Sequence, residues 1–72
     1  MKIRYFPDTD TLYVEFTNRE VVETTELNEN TLIDLDASGN LVAITLEHAQ
    51  ALVDIFDFSL QQVMTPQQER VP

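Results

Sequence analysis

Three carboxylates, Glu15, Glu23 and Asp34, are the residues with the clearest chemical potential in this sequence. If consecutive strands pair with one another, these acids fall side by side on one face of a sheet, with Lys2 at the end of the row. Directly opposed like charges destabilise a strand pair, so neighbouring carboxylates invite a functional explanation. Such a row could bind a hard divalent cation or dock a basic protein. The alternative is a solvated face, in which Lys2 pairs with Glu15 and water screens the other charges.

A second stretch, from Asp34 to Asn40, is similar to the first half of a calcium-binding loop. Its oxygen-bearing side chains alternate, and Gly39 occupies the sixth position. The similarity then ends, because Thr45 stands at the twelfth position, where a calcium loop needs a bidentate Glu. An apolar strand follows in place of a helix. We therefore interpret the stretch as a hairpin turn in which Gly39 adopts a positive φ.

Catalytic chemistry has little support in the sequence. His48 is the only histidine, and sequence spacing places no Ser beside it. A chain with one Gly cannot form a glycine-rich phosphate loop, and a chain without Cys has neither disulfides nor thiolate metal sites. We predict no catalytic residue and no cofactor, and we expect His48 to pack at a junction or to face solvent.

The length and charge limit the class of protein. The chain has 72 residues and a formal net charge of -9, with 13 acidic residues against 4 basic ones. One small domain fits this length, and it buries only about 60% of its unfolded surface, so the usual supports that remain without disulfides are a metal or a partner subunit. The acidic balance argues against nucleic-acid binding by the chain alone. No apolar run reaches the length of a signal peptide or a membrane span, which predicts a cytoplasmic protein.

Turn residues at short intervals separate runs of β-branched and aromatic residues, the composition of strands. Because short links join antiparallel neighbours, the simplest topology is a five-stranded antiparallel meander. A period of two sets the register of the terminal hairpins and, less strongly, that of the middle strands. The predicted middle pairs are Phe16–Val22, Val14–Thr24, Thr24–Ile33 and Val22–Leu35. The predicted strands are 2–6, 11–17, 21–27, 31–36 and 41–46. The predicted terminal pairs are Tyr5–Leu12, Ile3–Val14, Leu35–Val42, Ile33–Ile44 and Thr31–Leu46.

After the fifth strand the apolar spacing changes to that of a helix, with Ala49, Leu52, Val53 and Phe56 on one face. We predict a helix over about 47–53 and a break at the following β-branched and aromatic residues, after which the chain is either irregular or forms a second short helix near 59–64. The predicted fold class is therefore α+β, mainly β. The domain comprises 1–64, with the sheet at 2–46 and the helical segment at 47–64, and a frayed tail follows at 65–72.

The apolar C-terminal residues exceed what so small a core can bury. Ile55 and Phe58 are therefore candidates for burial against a partner chain, whereas Phe56 could pack on the sheet or join the same interface. Tyr13 lies beside Arg4 on the predicted outer face, where it either packs on the surface or contacts a partner. The interface candidates are Tyr13, Ile55, Phe56 and Phe58.

The opening Met-Lys-Ile-Arg-Tyr-Phe-Pro-Asp-Thr-Asp-Thr-Leu-Tyr-Val resembles the start of domain of unknown function 2283, a family of small bacterial and archaeal proteins. The stretch from Asn30 to Leu46 resembles the second half of that family. Together the two stretches cover most of residues 1–53, and residues 53–72 lie beyond the usual family core. The family has no established activity, so the resemblance implies no catalytic residue. Some similar proteins are predicted partners of small toxins, which suits an acidic chain.

Two functional hypotheses follow. The first is a non-enzymatic protein-interaction module that acts as a homodimer, with an antitoxin-like role toward a small basic protein as one form of it. The second is a divalent-metal-binding or hydrolytic protein that uses Glu15, Glu23 and Asp34.

Overall fold

The computed structural model describes residues 1–64, so the predicted tail at 65–72 lies outside the described residues. The predicted five strands are confirmed, and each boundary lies within two residues of the prediction. The strands are β1 (Lys2–Phe6), β2 (Thr11–Glu15), β3 (Glu23–Asn28), β4 (Thr31–Leu35) and β5 (Leu41–Glu47). They form one antiparallel sheet, so the mainly β class is confirmed.

The order of the strands differs from the prediction. The sheet runs β1-β2-β5-β4-β3, so the predicted meander is wrong. β5 lies between β2 and β4, where Val14 opposes Ile44 and Leu12 opposes Leu46. A meander would instead pair Val14 with Thr24, which leaves less apolar surface in contact. The observed order puts the polar strand β3 at an edge and the apolar strand β5 at the centre, where β2 and β4 flank it on its two sides.

The terminal hairpins have the predicted register at four of five pairs. Ile3 opposes Val14 and Tyr5 opposes Leu12 in the first hairpin. The second hairpin pairs Ile33 with Ile44 and Thr31 with Leu46, but Leu35 opposes Leu41 in place of Val42. A register shift between Asp34 and Leu35 causes this difference. The extra residue of such a bulge cannot be read from a strict period of two.

The predicted register of β3 is wrong by one residue. Thr24 opposes Asp34 and Thr25 opposes Ile33, so Thr24 lies on the opposite face from the one predicted. Val22, which the prediction paired with Leu35, precedes β3 and is 56% exposed. The sequence of β3, Glu-Thr-Thr-Glu-Leu-Asn, has no clear alternation, and a strand without alternation specifies its register weakly.

The predicted helix over 47–53 is also wrong, because the structure has only a short 3-10 helix, Ala49–Ala51. β5 continues to Glu47, and His48 then adopts a left-handed conformation with φ 57°, which ends the strand and turns the chain. No helix forms at 59–64 in the described chain. The β-branched and aromatic residues after Leu52, which are poor helix formers, account for this.

The buried core is small. Among residues 1–64, the apolar residues classed as buried are Val42, Ala43 and Ala49, all on or just after the central strand β5. The larger apolar side chains of the sheet are half-buried or exposed, as shown by Ile3, which is 42% exposed. Within the same residues, no helix is both long and apolar enough to cross a membrane.

Candidate interaction surface

One face of the sheet, here called the apolar face, collects the large apolar side chains. Directly opposed residues share a face, so the pairs Ile3–Val14, Val14–Ile44 and Ile44–Ile33 form one continuous row across four strands. A second row runs beside it from β1 to β4 through the pair Leu12–Leu46. The register places these residues on the apolar face: Ile3, Tyr5, Leu12, Val14, Thr31, Ile33, Ile44 and Leu46.

The C-terminal segment, residues 53–64, starts over one end of the apolar face. Its first part faces β1 and β2, and the two together bound a groove of about 510 Å³. Ile55 is half-buried in this groove, whereas Phe58 lines it and stays largely exposed. The groove is lined on one side by Met1, Ile3, Leu12, Val14 and Phe16, and on the other by Val53, Asp54, Ile55, Asp57 and Phe58.

Phe56 makes one aromatic contact with the sheet. Its ring meets that of Tyr5 edge to face, with the centroids 6.0 Å apart and the planes at 83°. Phe56 is nevertheless 88% exposed, so this contact covers little of the side chain. Beyond it the segment carries a further run of exposed apolar side chains, namely Phe58, Leu60, Val63 and Met64.

A polar cluster of Tyr5, Asp10 and Gln50 anchors the residues that lead into this segment to the sheet. The Tyr5 hydroxyl donates to Asp10 Oδ1 at 2.7 Å, and the Gln50 backbone N–H donates to the same oxygen at 3.1 Å. The Gln50 side-chain amide donates to the Tyr5 hydroxyl oxygen at 2.9 Å. The backbone N–H of Ala49 donates to the Asp10 carbonyl oxygen at 2.9 Å. The first turn of the chain thereby holds the residues that follow β5.

The geometry of this cluster explains its electrostatics. The Tyr5 hydroxyl donates a hydrogen bond to the Asp10 carboxylate, which raises the pKa of Tyr5, and partial burial adds to the effect, while Gln50 opposes it. Asp10 has a φ of 54°, a left-handed conformation that Asp and Asn tolerate better than most residues. Sequence reasoning missed this cluster because Asp10 and Gln50 are 40 residues apart. Asp10 looked only like a turn residue.

A second acid, Asp36, holds the turn between β4 and β5. Its Oδ1 accepts the backbone N–H groups of Ser38 and Asn40, both at 2.9 Å, and Arg19 Nε donates to its Oδ2 at 2.7 Å. The Asn40 N–H is the main cause that lowers the pKa of Asp36, and burial opposes it. Gly39 has a φ of 83°, so the predicted hairpin turn with Gly39 at positive φ is confirmed.

His48 also serves the junction after β5. Its ring Nδ1 lies 3.1 Å from the side-chain oxygen of Asn30, and the backbone N–H of the preceding Glu47 donates to the Asn30 carbonyl oxygen at 2.8 Å. Asn30 belongs to the turn between β3 and β4. His48 therefore ties that turn to the start of the C-terminal segment.

The structure does not assemble the predicted row of carboxylates. β5 separates β2 from β4, so Ala43 lies between Glu15 and Asp34, and Glu23 opposes Leu35. The Asp34 carboxylate accepts the Thr24 hydroxyl at 2.8 Å, so a hydroxyl takes the place that was predicted for a neighbouring acid. Residues 1–64 contain no group of three or more His, Asp or Glu side chains able to hold a metal ion together.

The face opposite the apolar face, here called the outer face, is polar and mainly acidic. Lys2 lies opposite Glu15 as predicted, and Tyr13 lies half-buried between Arg4 and Thr45. The register places these residues on the outer face: Lys2, Arg4, Phe6, Thr11, Tyr13, Glu15, Thr24, Glu26, Leu32, Asp34, Ala43, Thr45 and Glu47. Four of them are acids and two are bases.

These features define a small, mainly β protein whose single antiparallel sheet has one apolar and one acidic face. Residues 2–50 match the family described as "Protein of unknown function (DUF2283)". Because this match covers more than half of the 72 residues, the chain belongs to that family, and the predicted resemblance is confirmed. No curated protein and no solved structure matches the chain. The match ends at Gln50, so the C-terminal segment lies beyond the family region.

Proposed function

We propose that this protein is a non-enzymatic protein-interaction module that acts as a cytoplasmic homodimer, in which the apolar faces of two copies cover each other. The observation that carries the proposal is the incompletely covered apolar face, on which Ile33 and Ile44 remain part-exposed. Each copy would supply the second layer that the other lacks.

The need for a second layer follows from how sheets are stabilised. A sheet with an apolar face buries it against a helix, another sheet or a partner chain. In the part of the chain that the structure describes, only the beginning of the C-terminal segment lies over this face, near β1 and β2. Ile33 and Ile44, on the central strands, remain part-exposed. A second copy laid on this face would complete an apolar core between two layers.

Charge supports the same surface. Two copies of a chain with a net charge of -9 repel each other over most of their surfaces. Among the strand residues of the apolar face the only acid is Glu23, at the rim on the edge strand β3, opposite Leu35, whereas Asp54 and Asp57 line the groove over β1 and β2. The part of this face around Ile33 and Ile44 is therefore where a second copy would meet the least like-charge repulsion.

The polar clusters support a non-enzymatic role. The Asp10 cluster fixes the C-terminal segment, Asp36 and Arg19 fix a hairpin turn, and His48 bridges to Asn30. Each group has a structural partner that accounts for its position.

The acidic outer face supports the antitoxin-like form of this proposal. Glu15, Glu26, Asp34 and Glu47 share that face with only two bases, so a small basic protein would find complementary charge there. Binding of this kind weakens steeply with salt. If a basic partner docks on this face, Asp34→Lys should reduce its affinity at low salt, and Glu23→Lys, at the rim of the other face, should reduce it less. Equal losses would argue against a specific acidic face.

The metal-binding or hydrolytic alternative has no comparable support. Its three acids, Glu15, Glu23 and Asp34, are divided between two faces and separated by β5.

Sedimentation equilibrium of two matched variants tests the homodimer. Ile44→Glu puts a charge at the centre of the apolar face. Thr45→Glu puts the same charge one residue further along β5, where the side chain lies on the outer face. Because an unpaired charge in an apolar interface costs several kcal/mol, we expect Ile44→Glu to be monomeric at concentrations at which Thr45→Glu and the unchanged protein are dimeric. A dimer that survives Ile44→Glu but not Thr45→Glu would place the interface on the other face.

A further inference from the structure

We infer that residues 59–64 of each copy lie across the apolar face of the other copy, so that the ends of the two C-terminal segments are exchanged in the dimer. This inference rests on the proposed homodimer and specifies its occupant and its geometry. Three features of the segment and the face carry it.

The first feature is the composition of the segment. Residues 59–64, Ser-Leu-Gln-Gln-Val-Met, contain no charged side chain, in a chain where 24% of the residues are charged. Their apolar side chains are largely exposed, with Leu60 at 84% and Met64 at 81%. An exposed, uncharged apolar run of this kind marks an interaction surface. It suits a face that is itself apolar and almost free of charge.

The second feature is the path of the chain. All of residues 53–58 except Phe56 line the groove over β1 and β2, and Phe58 is the last residue that does so. Residues 59–64 do not line it, and Leu60, Val63 and Met64 are largely exposed. Over β5 and β4, Ile33 and Ile44 are part-exposed, whereas Thr31 and Val42 are buried, so that half of the face is incompletely covered in each copy.

The third feature is the surface area that a stable dimer interface must bury. Five strands about 4.8 Å apart and about five residues long give a face of roughly 400 Å² in projection. A stable dimer interface buries about 800 Å² from each partner. The accessible area of the face exceeds this projection, but residues 53–58 already lie over the part above β1 and β2, so direct contact between two faces can use only the remainder. The exchanged segments supply the missing apolar area.

Disulfide trapping tests the exchange directly, because the native chain has no cysteine. One batch carries Ile33→Cys, on the apolar face, and a second batch carries Leu60→Cys. After mixing and mild oxidation, we expect a disulfide between one chain of each batch. The matched control replaces Ile33→Cys by Leu32→Cys, the neighbouring residue on the outer face, and should give background cross-linking only.

The outcomes separate this inference from the proposed function. If the mixture gives no cross-link while a single chain carrying both cysteines closes an internal disulfide, the segment lies on its own sheet and the exchange is overturned. If the unmodified chain nevertheless has a dimeric mass, only the exchange is overturned and the proposed homodimer is retained. A monomeric mass overturns both.

A second pair of variants guards against an unstable cysteine variant. Leu60→Ser with Val63→Ser removes apolar side chains from the segment, and Gln61→Ala with Gln62→Ala changes the two residues between them. We expect the first pair to raise the dimer dissociation constant at least about a hundredfold, because each lost side chain contributes to burial in both interfaces. We expect the second pair to change it less than about threefold. Equal effects of the two pairs would contradict the exchange.

Discussion

Val14 lies directly opposite Ile44, which makes β2 and β5 neighbours although 30 residues separate the two positions. This pairing joins the apolar side of the first hairpin to that of the second. The result is one continuous apolar face across β1, β2, β5 and β4. That face, and not any cluster of polar groups, is the feature of the described chain on which the proposed dimer rests.

The Asp10 cluster should determine how firmly the C-terminal segment is held. Asp10→Ala removes the acceptor for Tyr5 and Gln50 and also places Ala at a φ of 54°. We expect it to lower the free energy of unfolding by about 2–3 kcal/mol, measured by urea denaturation at a fixed protomer concentration.

Asp10→Asn is the matched variant for this prediction. Asn tolerates the left-handed conformation and retains one acceptor oxygen, so its cost should be about 1 kcal/mol or less. If the two variants lose the same stability, the hydrogen bonds of Asp10 do not hold the segment.

Asp36 should give the protein part of its acid sensitivity. Its pKa in the folded state lies below its ordinary value of 3.8, so its stabilising contribution is complete above that value and is lost as the pH falls through the lowered pKa. Asp36→Asn removes the charge that faces Arg19. We therefore expect the difference in unfolding free energy between the unchanged protein and Asp36→Asn to narrow as the pH falls below about 4.

Asp8→Asn controls for the loss of one negative charge, because Asp8 lies in an exposed turn. Its difference from the unchanged protein should vary less over the same pH range. A difference for Asp36→Asn that stays constant down to pH 2 would contradict the assigned role of the carboxylate.

Gly39 should be required because its backbone has a positive φ, and not because a larger side chain would lack room. No atom lies within 4 Å of a Cβ added to Gly39, but its φ is 83°. We expect Gly39→Ala to cost about 1–2 kcal/mol in thermal or urea unfolding, and Gly39→Asn to cost less. Ser38→Ala, in the same turn, should be nearly neutral, since Asp36 accepts the backbone N–H of Ser38. A neutral Gly39→Ala would show that the turn relaxes.

Local patterns predicted the strands and the terminal hairpins because short links and apolar alternation specify them. Ile3 with Val14 and Ile33 with Ile44 are pairs of this kind. The order of the strands depends on a long-range choice, namely whether β2 pairs with β3 or with β5. The apolar alternation of β2 is compatible with either neighbour. Pairing with β3 would place Thr24 opposite Val14, whereas pairing with β5 places Ile44 there, and the larger apolar contact favours β5.

Only part of the candidate site could be predicted from the sequence. The surplus of apolar residues at Ile55, Phe56 and Phe58 was visible from composition, and all three lie at or beside the apolar face. The carboxylate row failed because it depended on the meander. The helix over 47–53 failed because a helical spacing cannot reveal that His48 turns left-handed and that Ala49 is bound to Asp10.

The molar mass of the unmodified chain in solution tests the central claim most directly. Light scattering during size-exclusion chromatography, over a hundredfold range of concentration, should give twice the chain mass of 8.3 kDa at the upper end. Dissociation toward 8.3 kDa on dilution would still agree with a dimer. A constant mass of 8.3 kDa over the whole range would contradict the account, because the apolar face would then remain uncovered.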